Sequence, residues 1–156
     1  MTNVFEDLGA LVALGAAFVS GLSALYARWQ AKAAKRANEI ALHENRLRVF
    51  KGLSRYRVHL TSRGASIAEE EVWKFSEEVE LSEFYFPKHI HPLLQHIFDG
   101  SLKLLTLNDE WRGAKEEGSS TAKEFVKQRH ELARSLRDEC QNATIELKRN
   151  LRIGAA

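Results

Sequence analysis

The stretch that most constrains this chain is Leu8 to Tyr26, which carries no charged residue. As a helix rising about 1.5 Å per residue it would reach roughly 30 Å, the thickness of a bilayer's hydrocarbon core. Glu6 and Asp7 precede it; Arg28, Lys32, Lys35 and Arg36 follow. Lys and Arg beside a span favour the cytoplasmic side. The pattern therefore predicts an N-terminal tail and transmembrane helix over residues 1–27, in the inner (plasma) membrane with the N-terminus outside. Residues 28–156 would form a cytoplasmic helical domain. Tyr26 and Trp29 stand where interfacial aromatics collect, and the four basic residues form a flank facing lipid headgroups. Asn3 with Glu6 fits a capping box. A cleaved secretory leader would need a basic start, which is missing. A buried core helix is the other reading, because the run is rich in Ala and Gly rather than Leu.

The run is two-faced. Turned by about 100° per residue, Gly9, Ala13, Ala17, Ser20, Gly21 and Ala24 fall on one side, and Leu11, Leu14, Phe18, Leu22 and Leu25 on the other. Small residues four apart let helix backbones approach closely where apolar contact alone gives no drive. The face predicts a homo-oligomer assembled through the span, or docking to another membrane protein.

The 130 or so residues after the anchor are enough for one domain of ordinary size. Lone Cys140 excludes an internal disulfide and offers no cysteine framework for a metal. No internal repeat or low-complexity tract is present. Net charge is +2, yet it is polarised: residues 28–64 carry +8, residues 65–118 carry −7 and residues 119–156 carry +3.

Apolar spacing predicts an all-α fold of about four helices. The first continues from the span to about Thr61, stopping at Ser62-Arg63-Gly64, with a break near Gly52 as the alternative. Ser66 with Glu69 reads as the capping box of a second helix holding Val72, Trp73, Phe75, Val79 and Leu81. Pro92 suits the first turn of a third, with Leu93, Leu94, Ile97, Leu102, Leu105 and Leu107 as its apolar content. Asn108 to Ser120, with Gly113 and Gly118, reads as a loop. Thr121 with Glu124 caps a last helix that repeats Phe125, Leu132, Leu136, Cys140, Ala143, Leu147 and Leu151.

Chemistry is sparse. His89, His91 and His96 lack the i, i+4 pairing of a helical metal site. Cys140 has no base beside it, since His130 is ten residues away on another face. The Glu run from Glu69 to Glu83 reads as a solvated face matched to a helix dipole. No phosphate loop, nucleophile elbow or dinucleotide fingerprint appears, so no catalytic residue, metal ligand or cofactor is assigned. The better lead is basic: Arg46, Arg48, Lys51, Arg55 and Arg57 could pair with the acidic second helix or hold a nucleotide or nucleic acid, with Tyr56 available to stack on a base.

Arg46-Leu47-Arg48-Val49-Phe50 and Glu83-Phe84-Tyr85-Phe86-Pro87 carry a resemblance. In them and in its order of parts the chain is similar to a loose class of small bacterial proteins of unknown function, with one N-terminal span and a short helical cytoplasmic domain. The resemblance implies no catalytic residue and no cofactor. Phe84 and Phe86 read as core anchors, and Arg46 as a partner for Glu83 or a helix end. The leading expectation is a membrane-anchored, self-associating interaction module, not an enzyme, that presents its domain to a cytoplasmic protein partner. The alternatives are an effector whose assembled spans disturb the membrane on sensing a ligand, for example in phage defence, and a membrane tether for nucleotide or nucleic acid.

Overall fold

The computed structural model describes residues 3–151, with side chains from Leu14 onward. Its described residues form four helices: α1 (Asn3–Arg63), α2 (Glu69–Tyr85), α3 (Ile90–Glu116) and α4 (Ala122–Leu151). The chain divides into two units, Met1–Ala41 and Leu42–Ala156.

In the first unit every described residue, from Leu14 to Ala41, is exposed. Ala27, Ala31, Ala33, Ala34 and Ala37 favour the helix through their own backbone preference, without tertiary help. Among the described residues no helix is long and apolar enough to cross a membrane. This corrects the expected transmembrane helix. The uncharged run with described side chains extends from Leu14 to Ala27, roughly 21 Å against the ~30 Å a bilayer requires, before Arg28 interrupts it. Leu8 to Ala13, on which the expectation also leaned, lie outside the described side chains.

The second unit closes its own core. Val49, Leu53, Tyr56 and Leu60 of α1 meet Val72, Phe75 and Val79 of α2, Ile90, Leu94, Ile97 and Leu104 of α3, and Ala133, Leu136, Cys140, Ala143 and Leu147 of α4. Steps of three, four and seven residues put each set on one helix face. Tyr56 and Phe75 stack with centroids 4.7 Å apart. The Tyr56 hydroxyl donates to Ser101 Oγ (2.6 Å), which donates to the Ile97 carbonyl (2.6 Å). Burial pushes the Tyr56 phenol up to about 12.

Helix ends follow backbone chemistry. α1 passes Gly52 unbroken and ends where Gly64 takes φ +59°, its N–H reaching the Leu60 carbonyl. The Ser66 capping box is corrected: α2 starts at Glu69 behind Ala68, with no side-chain cap. His59 Nε2 instead accepts the Ala68 N–H at 3.1 Å. Phe86 is extended, as a residue before proline prefers, and this stops α2 at Pro87. The expected loop from Asn108 is largely helix. α3 runs to Glu116, and Gly118 (φ +67°) closes it, with Ser119 N–H on the Ala114 carbonyl and Gly118 N–H on Lys115. Phe86 is buried, but Phe84 is 76 % exposed and anchors nothing in the described structure.

Candidate functional site

The basic residues of α1 do not form one face toward one ligand. Arg46 is structural: Nε donates to the Tyr85 carbonyl (2.7 Å) and Nη1 to the Asn150 carbonyl (3.3 Å), satisfying the C-terminal ends of α2 and α4. Its guanidinium also lies over the Phe86 ring at 5.8 Å. Arg57 turns the other way and donates to Gln141 Oε1 of α4.

Arg48, Lys51 and Arg55, at i, i+3 and i+7, do share a face, and it looks onto α2. Arg48 lies 3.8 Å from Glu77 and 3.6 Å from Glu78; Arg55 lies 3.5 Å from Glu71. Lys51 has no ion-pair partner among the described residues. Glu44, Leu47 and Gly52 complete a cleft of about 690 Å³ with these cations and Glu78.

Glu78 is the unusual member. It is buried, and its Oε2 has no hydrogen-bond partner. Burial holds its carboxyl above the usual carboxylate range, an effect that Arg48 and Arg55 partly offset and Glu77 reinforces. Gly52 makes the placement sterically feasible. A Cβ there would overlap Glu78 Cγ and lie 2.8 Å from Cδ. The mid-helix glycine is therefore a notch that receives a side chain from α2, not a break.

The remaining candidates fall into structural roles. Tyr56, offered as a stacking platform, is sealed in the core against Phe75. Cys140 is fully buried, and burial and then Glu139 push its thiol up to about 12, which suits packing rather than nucleophilic attack. His91 Nδ1 lies 3.2 Å from Ser82 Oγ and 3.1 Å from the Val79 carbonyl; His130 meets the Val126 carbonyl of its own helix. His96 approaches Glu139 at 3.7 Å. Among the described residues no group of three or more His, Cys, Asp or Glu side chains is arranged to hold a metal.

In the first unit Ala17, Ser20, Gly21 and Ala24 are exposed, as are Arg28, Lys32, Lys35 and Arg36. Gly9 and Ala13 lie outside the described side chains. A shallow groove of about 670 Å³ runs along Gly21, Ala24, Ala27 and Ala31, with Leu25 and Arg28 at its edge, and carries the small-residue face past Ala24. Phe18, Leu22 and Trp29 stand on the opposite side, all exposed.

No protein-family model, no curated protein and no solved structure matches the chain.

Proposed function

We propose that this chain is a non-enzymatic helical interaction module that self-associates through its N-terminal unit. One observation carries the reading: residues 14–41 are exposed throughout, although they include Phe18 (69 % exposed), Leu22, Leu25 and Trp29 (74 % exposed). Contiguous apolar surface on this scale marks a binding site. A second copy is the fitting occupant, because one helix supplies both halves of a joint: bulky side chains on one face and a small-residue groove on the other. The domain beyond Leu42 then offers the α1–α2 cleft to an acidic segment of a soluble partner. Exposed ion pairs such as Arg48–Glu77 are worth about 0–1 kcal/mol, so a partner carboxylate can replace them at little cost.

A second reading rests on Arg28, Lys32, Lys35 and Arg36, which lie beside the apolar stretch with no acid until Glu39. Each such charge gains about 1 kcal/mol near an anionic lipid surface. On this reading copies of the chain gather on a membrane face and disturb it.

Sedimentation equilibrium of the full chain, alone and with the double substitution Leu22→Glu and Leu25→Glu, tests the first reading. A dimer or higher species that the substitutions return to monomer is the expected result. A monomer at every concentration that floats with phosphatidylglycerol vesicles, and not with neutral ones, would overturn it in favour of the second.

A further inference from the structure

A second cleft, apart from both surfaces above, lies between the start of α2 and the latter half of α3. Its volume is about 360 Å³, within the range of sites that enclose small ligands. Ile67, Leu102 and Leu105 give it an apolar base. Trp73 forms a wall and is 51 % exposed. That indole is held in place: Nε1 donates to Glu69 Oε1 (3.1 Å), and the ring meets Phe98 edge-on with centroids 5.9 Å apart. A fixed, half-exposed indole over apolar side chains is a surface on which a flat ring stacks.

The polar groups around this base have one character. Asn108 is buried, and its Nδ2 donates to the Ala65 carbonyl at 2.9 Å. That bond orients the amide and leaves Oδ1 enclosed with no hydrogen-bond partner. An enclosed acceptor without a donor costs about 1–3 kcal/mol, which a ligand N–H would recover once a small shift of the cleft wall uncovers it. Asp109 and Glu69 add two carboxylates at the rim, and the one cation there, Arg112, already lies 3.5 Å from Asp109. Arg112 and Asp109 are both largely exposed, so their pair yields readily to a competing cation. Among the described residues, the one enclosed group of the cleft without a hydrogen-bond partner is an acceptor, Asn108 Oδ1.

From this juxtaposition we infer that the Trp73–Asn108 cleft binds a small aromatic amine. Its ring lies on Trp73 above Leu102 and Leu105, and its ammonium or N–H is directed to Asp109 and Asn108. The inference is independent of self-association and of the α1–α2 cleft.

The test uses the full chain with two probes that share a ring and differ in charge, tryptamine and indole-3-acetate. Binding is followed by the indole N–H resonance of Trp73, assigned by its loss in Trp73→Phe. Tryptamine is expected to shift that resonance saturably, with indole-3-acetate at least about tenfold weaker. Asp109→Asn, at an exposed position, is expected to weaken tryptamine severalfold without changing the thermal midpoint, and Trp73→Leu, followed instead by the line broadening of tryptamine's own resonances, to abolish binding. Asn108→Ala also removes the Ala65 contact and lowers stability, so Asp109→Asn carries the charge test. Equal binding of the two probes, no shift of the Trp73 resonance at about 10 mM tryptamine, or unchanged binding by Trp73→Leu would overturn the inference.

Discussion

Replacing Gly52 with Ala sets two effects of opposite sign against each other. In an exposed helix Ala is better than Gly by about 1 kcal/mol. Here the new Cβ would overlap Glu78 Cγ, and it would stand 2.8 Å from Cδ and 3.2 Å from Cβ. Swinging the carboxylate out relieves the first two contacts but not the third, so α1 and α2 must also separate slightly. Overpacking of this kind costs about 1–3 kcal/mol. Gly52→Ala is therefore expected to destabilise by about 1 kcal/mol net. In a Glu78→Ala background Cγ and Cδ are gone and only the 3.2 Å contact with Cβ remains, which a shift of a few tenths of an ångström relieves, so the same substitution should stabilise by about 0.5 kcal/mol. The sign reverses, with a coupling of about 1.5 kcal/mol in a double-mutant cycle. Urea unfolding of the four proteins at 25 °C measures it from the midpoints, provided the slopes agree. If Gly52→Ala has the same effect in both backgrounds, Glu78 does not occupy the notch, and the account of the cleft fails.

Three further outcomes follow from the same geometry. Burial raises the folded-state value for Glu78 above its ordinary 4.5, so its contribution is present at acid pH and is lost as pH rises from about 4.5 through the folded value. Glu78→Gln should thus be more stable than the parent at pH 7, with the advantage vanishing near pH 4; a difference that grows on acidification would refute this. Arg46→Ala removes charge-assisted bonds to two helix ends and should cost about 2–3 kcal/mol, with Arg46→Lys recovering less than half; thermal unfolding checks both. Cys140, with its thiol near 12, should react with a disulfide reagent only at the rate of unfolding, and labelling faster than unfolding would place it outside the core.

Legibility in the sequence followed the range of the interactions. Leu136, Cys140, Ala143 and Leu147 announce their shared face through spacing alone, and they are the core stripe of α4. Gly64 marks the end of α1 because a positive φ is a local demand. What came from elsewhere in the chain was not legible. The His59 ring takes the place expected of Ser66 from nine residues away. Asn108 looked like the start of a loop, yet its amide is bonded to Ala65 and lies inside α3. Phe84 sits in an aromatic run with no phase of its own; only the buried row Val72, Phe75, Val79 and Ser82 shows that it faces outward. The basic face misled because charge counts carry no direction: Arg46, Arg48 and Arg57 lie within twelve residues and serve three different surfaces. Gly52 had one local signature and two meanings, a break or a close approach, and only its neighbour Glu78 decides between them.

The exposed N-terminal unit bears on how the remainder holds together. Every α1 residue that enters the core, from Val49 to Leu60, lies beyond Leu42, and the four helices bury their apolar faces on one another without residues 14–41. A chain beginning at Leu42 should therefore fold cooperatively. Its thermal midpoint should lie within about 2 °C of the parent's, because no described buried contact is removed, whereas losing 1 kcal/mol would shift a domain of this size by about 4 °C or more. The same truncation removes the whole apolar joint, so it should sediment as a monomer. Calorimetry and sedimentation of one protein then separate two functions that a single helix carries. A truncated chain that melts early, or melts without cooperativity, would mean that the N-terminal helix supports the domain it is attached to. A truncated chain that still self-associates would move the joint onto the domain, and the exposed Phe84 and Val58 would be the first positions to substitute.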